Sequence, residues 1–224
     1  MSTLQTLERG LLALDIISRR DQGISVADLA TELGVHRAIC YRIVSTLEVH
    51  AFVTRTEDGL VRLGAGAAVL ASRFAPQLWH STGPVLQRLA DNAGATTHLS
   101  VAQGLDCIAV VVAEPVTAVI RVGYRVGSRH PLTRGAAGIA ILSARPPRTS
   151  DPANVRDARR DGFSVTLGEL EPGAMGIAAP IAVPAGPTAV QACVGVVAAA
   201  GLEVTSVSAL VVETARELGA VVRA

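Results

Sequence analysis

Cysteine is scarce. Cys40, Cys107 and Cys193 are the only three in 224 residues. They are scattered, odd in number and without a CxxC pair, which argues against a disulfide framework and against a thiolate zinc site. They read as small buried hydrophobes. Long apolar runs are also lacking: none approaches the roughly 20 residues that cross a bilayer without an intervening charge. The longest sheltered run, Cys107 to Ala113, is strand-length. The stretch Met1 to Arg9 has no basic segment followed by an apolar one, so no secretory signal is read there. These absences predict a soluble, cytoplasmic protein with no membrane partner. Lysine is missing altogether, every basic side chain being Arg; this is a compositional bias without functional weight. Excess charge is missing too, the formal net charge being +1, so overall charge points to no partner. The histidines, His36, His50, His80, His98 and His130, are dispersed without metal-ligand spacing. No metal and no cofactor are expected.

What the chain does have is apolar sequence. Half of its residues are hydrophobic, enough for the cores of two modest domains. Leu4, Leu7, Leu11, Leu14 and Ile17 recur at helical spacing and predict an amphipathic helix over Thr3–Ser18. Ser25, followed three residues later by Asp28, marks a second helix start. Val26, Leu29, Ala30 and Leu33 form the inner face of that helix, and Gly34 ends it. A third helix is predicted from His36 to His50, with Ile39, Ile43 and Leu47 as its buried side and Cys40 in the core. Phe52–Thr54 and Leu60–Leu63 read as two strands joined by the Asp58-Gly59 turn. Gly64 to Phe74 is Ala-rich and predicts a linker helix.

A second pattern follows. A helix carrying Val85, Leu86, Leu89 and Ala90 stops at Gly94. Strands are predicted at Thr96–Ala102, Asp106–Ala113, Ala118–Val122, Phe163–Leu167, Met175–Val183 and Val190–Ala200. Helices are predicted at Gly135–Ser143, around Asn154–Asp161 and at Thr205–Val222. Strands and helices do not alternate as a nucleotide-binding parallel sheet requires; an α+β domain with an antiparallel sheet flanked by helices fits better.

The N-terminal pattern is a helix-turn-helix followed by a hairpin, a wing. The short turn at Gly34-Val35 sets the third helix at a steep angle, so that it can enter a major groove. With Ile39, Ile43 and Leu47 inward, the residues His36, Arg37, Ala38, Tyr41, Arg42 and Ser45 face outward or lie at the flank. Arg37 suits a guanine edge and Ala38 a thymine methyl. The Tyr41 and Ser45 hydroxyls suit phosphates, Arg55 and Arg62 of the hairpin reach the adjacent backbone, and Ser25 at the second helix start joins the DNA-facing set. Residues 1–65 hold seven Arg against eight acids, so this is not a basic domain. Placement favours DNA nonetheless: Glu8, Asp15, Asp28 and Glu32 belong to the first two helices, and Arg37 and Arg42 to the third.

Two other function classes fit the sequence less well. One is an enzyme with an accessory helical domain. Gly135-Ala136-Ala137-Gly138 is followed by no Gly-Lys-Ser/Thr, so it is not a phosphate loop. Cys107, Cys193 and His98 offer a nucleophile and a base that nothing in the sequence brings together. The other is an interaction module without a ligand. A ligand-responsive regulator, not an enzyme, is the preferred reading.

Specific stretches resemble the IclR family of regulators. They are Thr6 to Leu11, Ile24 to Ala30, Leu33-Gly34-Val35, Tyr41 to Glu48 and Val61 to Gly64 in the first part. In the second they are Arg134 to Leu142, and Glu169 to Gly173 followed by Ile177 to Ile181. The resemblance runs through nearly the whole chain. It implies a winged helix-turn-helix over 1–64, a linker helix over 65–77 and a GAF-like effector domain over 78–224. It also implies a homodimer or homotetramer; because two-fold proteins read two-fold operators, a palindromic operator is expected. The sequence departs from the family at His36-Arg37-Ala38, where Pro, Lys and Ser are common. It is short between Leu142 and Phe163, and reads Ala198-Ala199-Ala200 where pocket serines are frequent.

The expected effector is a small, partly apolar organic acid. Its carboxylate would be accepted by the N–H groups of Gly135, Ala136, Ala137 and Gly138 at a helix start. Ala136, Ala137, Ile177, Ala198 and Ala200 would form an apolar wall, with Glu169 and Gly176 beside it. The alanines favour an aromatic or branched aliphatic acid over a glyoxylate-sized one.

Overall fold

A computed structural model describes residues 3–72, 82–116, 123–182, 190–199 and 201–223. The chain divides into two compact units, residues 1–74 and 75–224.

The first unit contains α1 (Gln5–Ser18), α2 (Val26–Glu32), α3 (Arg37–Val49), β1 (Val53–Arg55), β2 (Val61–Leu63) and α4 (Ala65–Ser72). Ser25 starts α2 as its sequence pattern demands. Its Oγ accepts from the Asp28 N–H at 3.1 Å and donates to the Asp28 carboxylate at 2.6 Å. Gly34, at φ +62°, allows the turn into α3. β1 and β2 pair antiparallel, and Ile24 bridges to Val61, tying the start of α2 to the hairpin. The core gathers Ala13, Ile17, Leu29, Cys40, Val44 and Val61.

Two faces differ from expectation. In α3 the buried residues are Cys40, Ile43 and Val44, while Ile39 is 37% exposed. Residues spaced strictly by four drift about 40° per step, whereas 40, 43, 44 and 47 stay on one side. In α1 only Ala13 and Ile17 are buried; Leu4, Leu7 and Leu11 face outward.

The second unit contains α5 (Thr82–Ala93), β3 (Thr96–Gln103), β4 (Asp106–Ala113), β5 (Arg129–Pro131), α6 (Gly135–Ser143), α7 (Ala153–Asp161), β6 (Ser164–Leu167), β7 (Ala174–Ile181), β8 (Ala192–Ala199) and α8 (Val204–Arg223). The strands form one antiparallel sheet in the order β5-β4-β3-β8-β7-β6. Strand β8 therefore enters between β3 and β7, a pairing no local pattern announces. One sheet face packs Leu99, Ile177, Val194 and Val196 against α5 and α8, through residues such as Leu86 and Val211. The other packs Cys107, Ala178 and Cys193 against α6, through Ala136, Ala140 and Ile141. Helix α7 closes on α6 through Ile139, Val155 and Ala158. The fold is α+β, with a helix-turn-helix unit and an antiparallel-sheet unit. The short strand β5 was not anticipated. The expected strand at 118–122, residues 73–77 of the expected linker and Ala200 lie outside the described residues. Among the described residues, no helix is long and apolar enough to cross a membrane.

Candidate nucleic-acid interface and ligand cavity

The exposed side of α3 follows from the burial of Cys40 and Val44. His36, Arg37, Ala38, Tyr41, Arg42 and Ser45 are all exposed. Three of the expected residues converge. Arg37 Nη2 donates to Tyr41 Oη at 3.3 Å. The guanidinium carbons of Arg37 and of Arg55 on β1 each lie 5.5 Å from the Tyr41 ring centroid, a cation–π distance. Arg55 also meets Glu48 at 3.2 Å. Arg37 and Arg42 make no ion pair among the described residues, so both charges remain available. Among the described residues no side chain caps the start of α3, and no acid lies in its first turn. An exposed, uncapped helix start flanked by arginines can hold phosphate oxygens.

Two expected DNA-facing residues have structural work instead. Half-buried Arg62 donates from Nε to the Gln22 carbonyl at 3.1 Å, bracing the hairpin against the turn before α2. The Ser25 hydroxyl is committed to Asp28.

The second unit holds a cavity of about 300 Å³. Its floor is the sheet row Thr166–Gly176–Val197, aligned by register across β6, β7 and β8. Ala136 and Ala137 of α6 and the segment Glu169–Glu171 also line it. Gly176 leaves the needed space, since a Cβ there would lie 3.3 Å from that of Ala136. Four expected effector residues, Ala136, Ala137, Glu169 and Gly176, thus come together.

The others do not. Ile177 and Ala198 point to the α5 and α8 side of the sheet. Successive strand residues alternate faces, so each is one position away from a cavity residue. Gly138 is a packing glycine: a Cβ there would sit 2.4 Å from the Leu132 carbonyl oxygen. The helix start itself is occupied. The Gly135 N–H donates to the Glu169 carboxylate at 2.7 Å, and the Ala136 N–H donates to the Thr166 hydroxyl at 3.1 Å. The Arg134 guanidinium holds the Glu169 carbonyl, and Leu170 covers Gly135. A carboxylate does bind there, but it is the protein's own.

His98, Tyr124 and His130 also line the cavity, and they belong to a polar cluster with Cys107 and Cys193; the sequence offered Cys107, Cys193 and His98 but not their assembly, nor Tyr124 and His130 beside them. His98 is buried, with Nδ1 3.0 Å from the Ser100 hydroxyl and its ring 4.8 Å from that of Tyr124. Burial pushes its pKa down to about 3, with the charge of His130 acting in the same direction, so it is neutral. Cys107 pairs in register with His130. The Cys193 thiol donating toward it, with help from His130, lowers Cys107 to about 6 against the opposing effect of burial. Burial raises Cys193. Burial also acts to lower His130, but the neighbouring Cys107 sulfur and the Pro131 carbonyl outweigh it and its pKa rises. Among the described residues, the enclosed Tyr124 hydroxyl and His130 Nε2 have no hydrogen-bond partner. Only the strand order assembles this cluster, so no spacing in the sequence signals it. Among the described residues, no group of His, Cys, Asp and Glu has a metal-binding arrangement.

Comparison with known proteins adds the following. Residues 6–57 match the IclR helix-turn-helix domain, and residues 75–154 match the bacterial transcriptional regulator IclR C-terminal domain. The acetate operon repressor of Salmonella typhimurium is 28% identical over 144 residues, covering 62% of this chain and 53% of its own length. The transcriptional repressor IclR of Escherichia coli is 26% identical over 144 residues, with the same coverage. The chain thus spans about half the length of these curated relatives. Among solved structures, an IclR homolog from Microbacterium hydrocarbonoxydans complexed with 4-hydroxybenzoate superposes with a TM-score of 0.76 at 21% identity, covering 97% of this chain and 99% of that one. The Thermotoga maritima IclR superposes with a TM-score of 0.71 at 21% identity, covering 98% and 99%. Both share the fold described above.

Proposed function

The chain belongs to the IclR family, both of whose domain models it matches, and from that premise we propose that it is a DNA-binding transcription regulator controlled by a small-molecule effector. The observation that carries this reading is the exposed arginine–tyrosine cluster on α3 and the hairpin, within the matched helix-turn-helix. The working division is a DNA-binding domain over 1–64, a linker helix over 65–77 and an effector domain over 78–224, acting in the cytoplasm. The named relatives are repressors, which supports regulation over catalysis.

The effector occupies the cavity of the second unit. A volume of about 300 Å³ lined by Ala136, Ala137 and Val197 together with polar His98, Tyr124 and His130 suits a small, partly apolar organic acid. Such an acid competes with the Glu169 carboxylate for the Gly135 N–H at the start of α6. The 4-hydroxybenzoate bound by the Microbacterium homolog supports an aromatic acid. An even oligomer on a palindromic operator completes the reading. Leu4 just before α1, Leu7 and Leu11 of α1, and Val69 and Leu70 of α4 are exposed apolar side chains suited to contact between copies.

The test is a band shift with DNA flanking the chain's own gene, with and without aromatic and aliphatic acids. Retention of one fragment, reversed or strengthened by one acid class, is expected. Failure to retain any fragment, or full affinity in an Arg37→Ala, Tyr41→Ala double variant, overturns the assignment. Light scattering tests assembly; a strict monomer at micromolar concentration contradicts the palindromic arrangement.

A further inference from the structure

Arg37 and Arg42 look equivalent in the sequence, as two arginines on the outer side of one helix. The structure separates them. At 100° per residue, Ala38, Arg42 and Ser45 form one row opposite buried Cys40 and Val44. Arg37 and Tyr41 lie to one side of that row, toward the hairpin. There Arg37 and Arg55 converge on a single ring, each guanidinium carbon 5.5 Å from the Tyr41 centroid. Arg37 is further held by its 3.3 Å hydrogen bond to the phenol oxygen. Two cations from different elements are thus fixed about one aromatic ring, with Glu48 on Arg55 as the only acid paired to them among the described residues. A guanidinium fixed in this way is poorly placed to reach across a groove and read a base edge. It is well placed to meet anionic oxygens near the hairpin. Arg42 is not held in this way. It stands on the central row between Ala38 and Ser45, free to pair bidentately with a base.

We infer that Arg37, Tyr41 and Arg55 form a clamp for the phosphodiester backbone, and that Arg42, between Ala38 and Ser45, reads the bases. The inference rests on the DNA-binding reading above and deepens it. Phosphate contacts add affinity to every sequence and add to its salt dependence, whereas base contacts add affinity only to the right sequence. The two roles therefore leave different marks.

The experiment uses the full chain and two probes of equal length: the flanking fragment most strongly retained in the band shift, and a shuffled version of it. Both are titrated over a range of salt concentrations. Arg37→Ala and Arg55→Ala should each weaken both probes by a similar factor, about tenfold, and each reduce the slope of log affinity against log salt by about 1. Arg37→Lys should keep most of the slope, because a point charge still meets a phosphate. Arg42→Ala should weaken the retained fragment about tenfold or more and the shuffled probe far less. Arg37 and Arg42 are exposed and Arg55 is half-buried, and unchanged circular-dichroism melting confirms folding of each variant. The inference is overturned if Arg37→Ala erodes only the discrimination between probes and leaves the salt slope intact. It is also overturned if Arg42→Ala weakens both probes equally. A wild-type protein that binds neither probe overturns the DNA-binding reading itself, a result distinct from either.

Discussion

Helices α3 and α6 both begin without a side-chain cap from the preceding residue, His36 in one and Arg134 in the other. Their first N–H groups are left in opposite states. At α6 the Gly135 and Ala136 N–H groups are taken by Glu169 and Thr166, more than 25 residues along the chain, and the whole start is buried. At α3 no side chain among the described residues reaches back, and the surroundings are exposed. The free N–H groups of a helix start and the positive end of its dipole attract anions in either case. Burial decides who supplies the anion. A buried start must be satisfied from within, because an unmade hydrogen bond there costs about 1–3 kcal/mol. An exposed start can wait in water for a phosphate. The same local chemistry thus makes a packed structural joint in one unit and an open contact surface in the other.

Changes at α6 should therefore appear mainly as stability. The largest effect is expected from Gly138→Val, which drives side-chain atoms into the Leu132 carbonyl. Overpacking against rigid backbone should lower unfolding stability by about 3 kcal/mol, measured by urea titration. Unchanged stability would show that α6 is not locked to β5 in this way. Next comes Thr166→Val, which keeps the shape but leaves the buried Ala136 N–H unpaired. A loss of about 2 kcal/mol is expected, with Thr166→Ser recovering most of it; equal losses in both variants would assign the effect to packing. Glu169→Ala, at the less buried Gly135 N–H, should cost about 1 kcal/mol. Added aromatic acid should then stabilise the variant more than it stabilises the wild type, because the competing carboxylate is gone. Less stabilisation of the variant would make Glu169 a direct effector contact instead.

The same contrast explains what could be read from the sequence. The helix-turn-helix was legible because its signals are local: Ser25 with Asp28, Gly34 at positive φ, and Asp58-Gly59 between two short strands. The phase of α3 was misjudged because Ile39, Ile43 and Leu47 are the larger hydrophobes, while the helix buries Cys40 and Val44. Size outvoted geometry. In the second unit most elements were legible, including the antiparallel character of the sheet. The order of its strands was not, because β8 pairs with β3 across about 90 residues of chain. The site suffered accordingly. Ile177 and Ala198 were placed one residue off the cavity face, an error that strand alternation converts into the opposite side of the sheet. Glu169 and Gly135 were both named, but as joint ligands of an effector rather than as partners of each other. The cluster of His98, Cys107, Tyr124, His130 and Cys193 depends entirely on that strand order.

The smallest expected effect on stability is the most direct test of the comparison, because it transplants the closed start of α6 onto α3. His36 precedes α3 with extended backbone, φ −62° and ψ 142°, and caps nothing with its side chain. That geometry is the one an Asp needs to accept from the N–H groups of the first turn. His36→Asp should therefore stabilise the first unit, by about 0.5 kcal/mol, through capping and the favourable helix dipole. At the same time it should weaken DNA binding, because a fixed carboxylate occupies the donors meant for a phosphate and repels the backbone. Gain in melting temperature together with loss in the band shift is the expected pair of results. His36→Ser separates the two causes: it caps without charge, so it should keep most of the stability gain and lose less DNA affinity. If His36→Asp stabilises the protein and leaves DNA affinity unchanged, the open start of α3 does not face phosphate, and the contrast with α6 is one of burial alone.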